Sequence, residues 1–181
     1  MALAEKCIFV LGGARSGKSC FAQDLAGKLG NKVLFVATGE ALDEEMKARI
    51  SQHQKARPKS WRTLEAAINT GKQIEKRIGD AEVVIIDCLT LLVSNVLGDE
   101  PDYERAEEQL TTEISELVAC MNKLNANFVI VSNEVGMGLV PETKLGRTYR
   151  DLLGKANQLV ASHADEVYFM AAGIPAKVKG D

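Results

Sequence analysis

Gly12-Gly13-Ala14-Arg15-Ser16-Gly17-Lys18-Ser19 follows directly after the apolar run Cys-Ile-Phe-Val-Leu at residues 7–11 and leads into a helix-like segment. This is the pattern G-x-x-x-x-G-K-[S/T], and it lies between a predicted buried strand and a predicted helix, which is the context in which the pattern forms a phosphate-binding loop. The glycines let the backbone turn tightly, so that its N–H groups and the helix amino terminus can surround a phosphate. Lys18 can reach the β- and γ-phosphates, and the Ser19 hydroxyl can bind Mg²⁺. The stretch therefore predicts a nucleoside triphosphate site, with a chance match in a glycine turn as the alternative.

Strand-like and helix-like segments alternate along the rest of the chain. Apolar runs predict strands at residues 7–11, 33–37, 83–86, 128–132 and 167–171, with a further short strand at 61–64. Helices are predicted at residues 17–29, 41–55, 65–77, 89–97, 102–124 and 145–163. Because strands with continuous apolar runs belong in parallel sheets covered on both faces, this order predicts a three-layer α/β fold with a mostly parallel sheet. We expect one nucleotide-binding domain over residues 1–181, with its ligand beyond the carboxyl ends of the strands.

Composition and charge narrow the class of partner. The 181 residues are 46% hydrophobic, which is enough for a sizeable core, and the net charge of −3 provides no positive field to recruit nucleic acid. No apolar run approaches the roughly 20 residues of a membrane span, and no secretory signal is recognised. The four cysteines are widely spaced, at Cys7, Cys20, Cys88 and Cys120. We expect buried thiols in a reducing cytoplasm rather than a disulfide or a metal site.

Asp87 directly follows the most apolar run, Val83-Val84-Ile85-Ile86. A carboxylate at the end of such a strand is what a P-loop site needs to hold Mg²⁺, either directly or through water. The alternative is an ordinary cap for the helix predicted at 89–97.

His53 lies in the segment Arg49-Ile50-Ser51-Gln52-His53-Gln54-Lys55-Ala56-Arg57. The cations of this segment suit a phosphate chain and favour a neutral imidazole, which is a competent nucleophile toward phosphorus. The residues alone leave a solvated surface histidine as the alternative. The other histidine, His163, stands at the end of a predicted helix, where the helix dipole explains it.

Other polar segments have a structural and a functional interpretation. The loop Ser132-Asn133-Glu134-Val135-Gly136-Met137-Gly138-Leu139-Val140-Pro141 is either a shaped loop at the ligand edge of the sheet or a plain turn. Arg147 and Arg150 share a helix face, as surface charge or as an anion clamp. A solvated face is expected for the acidic residues of the helix at 102–124, which are Glu104, Glu107, Glu108, Glu113 and Glu116.

Taken together, these stretches resemble a family of bifunctional cobalamin-biosynthesis enzymes, the adenosylcobinamide kinase / adenosylcobinamide-phosphate guanylyltransferases. The resemblance runs from Phe9 to about Val178. A P-loop alone indicates only a large superfamily, whereas the His53 segment and the loop at 133–141 at the correct spacing are far more specific. The other matching stretches are Ala37-Thr38, Asp43-Glu44-Glu45-Met46, Trp61-Arg62-Thr63 with Glu65, Asp87-Cys88-Leu89-Thr90 with Asn95, Arg147 to Asp151, Gly154, Asn157-Gln158 and Ala164-Asp165.

The resemblance implies two reactions. A kinase step moves the γ-phosphoryl group of ATP or GTP to the aminopropanol hydroxyl of adenosylcobinamide. A second step transfers GMP from GTP to the resulting adenosylcobinamide phosphate, through a GMP-histidine intermediate at the position of His53, and gives adenosylcobinamide-GDP and pyrophosphate. Lys18 and Mg²⁺ would stabilise the leaving pyrophosphate. The family also implies a RecA-like fold and a homo-oligomer, typically a trimer.

The same resemblance implies the residues of the site. The catalytic pair is His53 with Lys18, and Mg²⁺ is expected on Ser19 and Asp87. Glu65 and Asp87 carry carboxylates that suit either guanine or a metal, and the sequence leaves that choice open. Nucleotide contacts are expected at Gly12, Gly13, Ala14, Arg15, Ser16, Gly17, Lys18, Ser19, Ala37, Thr38, Gly39, Gln54, Lys55, Ala56, Arg57, Glu65 and Asp87.

Three other functions compete with this interpretation. A plain P-loop small-molecule kinase would use Lys18, Ser19 and Asp87 and would give His53 no role. A regulatory GTP-binding module usually carries an N-K-x-D guanine motif, and the sequence has none. A nucleic-acid-directed ATPase is disfavoured by the acidic pI of about 5.5. The partners that the resemblance implies are adenosylcobinamide and its phosphate.

Overall fold

The computed structural model describes residues 5–39, 44, 57–98 and 102–180 of the chain. Its strands are β1 (Cys7–Gly12), β2 (Val33–Ala37), β3 (Arg62–Glu65), β4 (Val83–Asp87), β5 (Asn127–Asn133), β6 (Glu166–Ala171) and β7 (Ile174–Lys179). They form a sheet in the order β3-β2-β4-β5-β1-β6-β7. The first six strands are parallel, and β7 pairs antiparallel with β6. The mostly parallel sheet predicted from the apolar runs is confirmed.

Helices cover both faces of this sheet. They are α1 (Lys18–Leu29), α2 (Thr70–Arg77), α3 (Leu89–Leu97), α4 (Tyr103–Lys123) and α5 (Lys144–His163). Alternate residues of each buried strand enter two separate cores, since successive side chains of a strand point to opposite faces. Phe9, Phe128 and Ile130 join the core beneath α2 to α5, whereas Val10 and Val129 pack with Ala22 and Ala26 of α1. The predicted three-layer α/β architecture is therefore confirmed.

The helix predicted at 65–77 begins five residues late. Glu65 still belongs to β3, and the N–H of Ala66 donates to the carbonyl of Ala37, which extends the ladder of the sheet. Asn69 then adopts φ 52°, and the Glu113 carboxylate accepts from the N–H groups of Asn69 and Thr70 at 2.9 and 2.7 Å. A carboxylate near a helix amino terminus is favourable, so this contact fixes the start of α2.

The expectation of a solvated acidic face on α4 is wrong for Glu113. Its side chain is buried beneath α2. Two other acidic residues of the helix form ion pairs with neighbouring helices, Glu107 with Lys155 and Glu116 with Lys72. Only part of the predicted face is solvated, because α4 packs against α2 on one side and α5 on the other.

The strand β7 is absent from the sequence prediction. Ala172 and Gly173 have φ values of 50° and 83°, the pair of positive values that a tight two-residue hairpin requires. Every residue of β7 is exposed, so the strand has no apolar run to mark it. The helix predicted at 41–55 lies, apart from the helical Glu44, outside the described residues.

The structure also bears on the expected burial of the cysteines and on the expected lack of a membrane span. All four cysteines are free, and Cys20 is exposed rather than buried, while Cys120 is buried and Cys7 and Cys88 are partly so. None of the helices in the described part of the chain has the length and apolar character needed to cross a membrane.

Candidate nucleotide site

The glycine-rich loop is shaped by close backbone contacts. A Cβ at Gly12 would lie 2.6 Å from the carbonyl oxygen of Met170 in β6, so only glycine fits there. Gly17 has φ 94°, which also favours glycine. The Gly173 N–H of the β6–β7 turn donates to the Ser16 carbonyl at 3.0 Å. The loop is thus held from one side by the carboxyl end of β6 and by the hairpin that follows it.

Lys18 lies within the curve of this loop. It is 8% exposed, and its Nζ donates to the Gly13 carbonyl at 2.5 Å and to Ser16 Oγ at 3.5 Å. Burial lowers the pKa of Lys18, and the charges of Cys88 and Asp87 partly offset this effect. A buried ammonium group whose hydrogen-bond partners among the described residues are all neutral is prepared to receive an anion.

The ends of β2 and β4 are tied together beside the loop. Thr38 is fully buried, and its hydroxyl donates to the Cys88 carbonyl at 2.6 Å and accepts from the Cys88 N–H at 2.9 Å. Asn95 of α3 adds a bond from Nδ2 to the Thr38 carbonyl at 2.8 Å. The amino-terminal cap position of α3 is Cys88 rather than Asp87, and the Cys88 side chain makes no cap bond. Asp87 instead faces the cavity described below.

Arg57 approaches the same region from another segment. Its Cζ stacks 3.5 Å from the ring centroid of Phe35 in β2. Burial lowers the pKa of Arg57, and the negative charges of Asp87 and Glu65 oppose that shift. Within the described part of the chain its Nε and Nη1 atoms are buried without a hydrogen-bond partner. Buried donors without acceptors are costly, and a phosphate or carboxylate in the cavity would supply the acceptors.

These groups converge on a cavity of about 590 Å³ at the carboxyl ends of the strands. Ten of the expected contact residues line it, namely Ala14, Arg15, Ser16, Gly17, Lys18, Ser19, Ala37, Gly39, Arg57 and Asp87. Six lining residues were not predicted as contacts, namely Cys20, Cys88, Thr90, Leu91, Val131 and Asn133. Two of them, Val131 and Asn133, follow from the strand order, since β5 separates β1 from β4 and places its own end inside the site.

The remaining expected residues stand elsewhere. Gly12, Gly13 and Thr38 are not among the lining residues: Gly12 packs against Met170, the Gly13 carbonyl accepts from Lys18, and the Thr38 hydroxyl bonds to Cys88. Glu65 is exposed beside Ala37 on the neighbouring strand. Among the described residues no group of three or more His, Cys, Asp or Glu side chains is arranged to hold a metal ion. The expected residues outside the described ranges are His53, Gln54, Lys55 and Ala56.

Arg147 has a structural role that neither sequence interpretation included. Its Nη1 donates to the carbonyls of Pro141 and Glu142 at 3.0 and 2.7 Å, and so fixes the end of the loop that follows β5. At the start of that loop, the Glu134 N–H donates to the Gly12 carbonyl at 3.0 Å. The segment is therefore held at its start by the glycine-rich loop and at its end by Arg147.

Known proteins resemble this chain over nearly its whole length. Among solved structures, the crystal structure of the RadB recombinase has a TM-score of 0.49 and 15% identity, covering 91% of this chain and 73% of that one. The bifunctional adenosylcobalamin biosynthesis protein CobU of Escherichia coli K12 is 43% identical over 180 residues, 95% of this chain and 99% of that protein. The protein of the same name from Salmonella typhimurium is 40% identical with the same coverage. The family model described as CobU, cobinamide kinase / cobinamide phosphate guanyltransferase, matches residues 8–178, and the chain belongs to this family.

Proposed function

We propose that this chain carries both family reactions at the one cavity. It first phosphorylates the aminopropanol hydroxyl of adenosylcobinamide with ATP or GTP, and then transfers GMP from GTP to that phosphate. The observation that carries the proposal is the convergence of Lys18, Arg57 and Asp87 on a cavity that the glycine-rich loop also lines. Two cations with unmet hydrogen-bonding capacity match a polyphosphate, which is a chain of acceptors.

In the kinase reaction the substrate hydroxyl oxygen attacks the γ-phosphorus, and the bond from that phosphorus to the nucleoside diphosphate breaks. Lys18 and the loop amides stabilise the charge that gathers on the phosphoryl oxygens. We propose that Ser19 and Asp87, together with phosphate oxygens, hold Mg²⁺, since this ion is usually bound by one or two protein groups plus phosphates. When bound, Mg²⁺ would neutralise part of the phosphate charge.

In the guanylyl transfer, an imidazole nitrogen of His53 attacks the α-phosphorus of GTP and pyrophosphate leaves. The phosphate of the corrinoid then attacks the same phosphorus, the phosphorus–nitrogen bond breaks and the histidine is restored. Arg57 supports this assignment, because it lines the cavity only four residues after His53. Four residues span at most about 14 Å. His53 is therefore within reach of a nucleotide in the cavity.

We assign nucleotide-binding roles to residues 54–56 and to Glu65. Gln54, Lys55 and Ala56 connect His53 with Arg57 and are proposed as nucleotide contacts. Glu65 stands next to Ala37 in the sheet, at the side of the cavity away from the glycine-rich loop. A carboxylate there is suited to accept from the guanine N1–H and amino groups.

We also propose a homo-oligomer, a trimer by family resemblance, in the cytoplasm. The exposed edge strand β7, with Ile174 and Val178 exposed by 69% and 64%, supports assembly, since proteins usually cover or blunt such an edge. The free thiols support a reducing compartment.

A product assay tests the proposed function. Adenosylcobinamide with ATP and Mg²⁺ should yield the phosphate, and further addition of GTP should yield adenosylcobinamide-GDP and pyrophosphate in equal amounts. Products would be separated by chromatography and followed by the corrinoid absorbance. Phosphate without GMP transfer would support the plain kinase alternative, and a protein that binds GTP but alters no corrinoid would contradict the proposal.

Replacement of Arg57 by methionine should separate binding from stability. Methionine keeps an apolar side chain over Phe35 but removes the donors, so the KM for GTP should rise by about 10- to 100-fold, the worth of one or two charge-assisted hydrogen bonds. The melting temperature of the free protein should stay level or rise, because the substitution removes a partly buried cation whose Nε and Nη1 have no acceptor among the described residues. Arg105→Met, at an exposed arginine of α4, is the control. A lower melting temperature with an unchanged KM would show that Arg57 only supports the fold.

A further inference from the structure

Strand β5 ends between the two strands that carry the phosphate-binding groups. Asn133, its last residue, is paired with Gly12 at the start of the glycine-rich loop, and Val131 is paired with Asp87 on the other side. Asn133 also lines the cavity. Its position is thus between the loop that holds Lys18 and the strand that ends in Asp87.

A network of buried polar groups fixes the backbone of Asn133. Its N–H donates to Thr90 Oγ1 at 2.8 Å, and its carbonyl accepts from Asn157 Nδ2 at 3.1 Å. Asn157 Oδ1 in turn accepts from the fully buried Ser132 hydroxyl at 2.7 Å, and Tyr149 donates to the Thr90 carbonyl at 3.2 Å. Such a satisfied network is rigid, so the Asn133 Cα has a fixed position relative to both strands.

The side chain of Asn133 takes no part in this network. Among the described residues its amide has no hydrogen-bond partner, although the residue is half-buried at the wall of the cavity. A polar group at such a position normally finds a partner. An amide NH₂ in the wall of the cavity that Lys18 also lines offers neutral donors to a negatively charged ligand.

The strand order indicates which part of the ligand this amide would meet. Arg57 stacks on β2 and Glu65 ends β3, whereas Asn133 ends β5, next to β1 and its loop. The Lys18 side of the cavity is where the β- and γ-phosphates bind. On the basis of the proposed function, we infer that the Asn133 amide donates a hydrogen bond to the terminal phosphoryl group of the triphosphate, the group that the kinase reaction transfers.

This contact affects the two reactions differently. In the kinase step the hydroxyl oxygen bonds to the γ-phosphorus, the bond to the diphosphate breaks, and the hydroxyl proton passes to an oxygen of the transferred group. Asn133 then stabilises charge on the group that moves. In the GMP transfer the bond that breaks lies between the α-phosphorus and pyrophosphate, so the terminal phosphate leaves as part of the pyrophosphate and is not transferred. Asn133 is therefore assigned to the kinase reaction.

Substitution of Asn133 by alanine tests the inference. The kinase kcat/KM should fall by about 100-fold, and the affinity for a non-hydrolysable GTP analogue measured by calorimetry should fall by about tenfold. The affinity for GDP and the rate of GMP-adduct formation at saturating GTP should be nearly unchanged. Asn133→Asp should be worse than alanine in the kinase assay, because a carboxylate repels phosphate. Asn125→Ala and Asn125→Asp, at an exposed asparagine before the opposite end of β5, should behave as wild type.

Two results would overturn the inference. One is a kinase rate and analogue affinity in Asn133→Ala equal to those of the wild type. The other is an equal loss of GTP-analogue and GDP affinity with a lower melting temperature, which would show that Asn133 only holds the loops. A wild-type protein that prefers the GTP analogue over GDP but phosphorylates no corrinoid would refute the proposed function instead, and the affinity comparison would still test Asn133.

Discussion

Lys18→Ala is expected to lower kcat/KM by about a thousandfold in both the kinase and the guanylyl transfer assays. The ammonium group is held at 8% exposure by the Gly13 carbonyl and the Ser16 hydroxyl, so it is already positioned before a nucleotide binds. Both reactions build negative charge on phosphate oxygens at this side of the cavity, and alanine supplies nothing to balance it. The rates would be measured from corrinoid products under saturating and limiting nucleotide.

The free Lys18→Ala protein should keep its melting temperature. Burial lowers the pKa of Lys18, which means that the folded protein disfavours its charged form, so removal of the amine costs the fold little. Lys28→Ala, at an exposed lysine in the last turn of the same helix, should retain full activity. Retention of either reaction by Lys18→Ala would show that its nucleotide binds away from the glycine-rich loop.

His53→Ala is expected to abolish guanylyl transfer and to leave the kinase reaction largely intact. The transfer needs a nucleophile that bonds to the α-phosphorus, and alanine has none. The kinase step uses the substrate hydroxyl as its nucleophile, so it should continue and adenosylcobinamide phosphate should accumulate. Chromatography of the corrinoid products with ATP and GTP both present measures the two outcomes in one experiment.

The second histidine of the chain gives a matched control for His53. His163 is exposed at the end of α5, where its Nδ1 lies 2.9 Å from the Leu159 carbonyl, far along the chain from the cavity residues. His163→Ala should transfer GMP at the wild-type rate. Equal loss of both reactions in His53→Ala would indicate that the segment shapes the cavity and would remove the argument for a covalent role.

The sequence predicts most of the sheet because its strands carry their own signal. Residues 33–37 and 89–97 match β2 and α3 at both ends, since continuous apolar runs and a helical apolar face need no distant partner. The predicted start of α2 was wrong because the observed start is fixed by Glu113, more than 40 residues away along the chain. The strand β7 was missed because its residues are exposed and its pairing with β6 depends on the turn at Ala172 and Gly173.

The candidate site also contains residues that local sequence patterns predict and residues that only the folded chain brings together. The glycine-rich loop and Asp87 are local patterns, and their convergence follows from a parallel sheet. Arg57 was expected as one of the cations of the His53 segment and through the family resemblance, but its stacking on Phe35 has no local signal. Thr90 and Asn133 were not predicted as nucleotide contacts, and their placement depends on Tyr149 and Asn157 in α5, which reach them only in the folded chain.

The covalent GMP intermediate on His53 is the central claim, and intact-protein mass spectrometry after incubation with GTP and Mg²⁺ tests it most directly. The wild type should gain the mass of one GMP, in a bond that is stable to base and labile to acid, as a phosphorus–nitrogen bond is. His53→Ala should gain nothing, and His163→Ala should behave as wild type. No gain in a wild-type protein that binds GTP, or an equal gain in His53→Ala, would contradict the account.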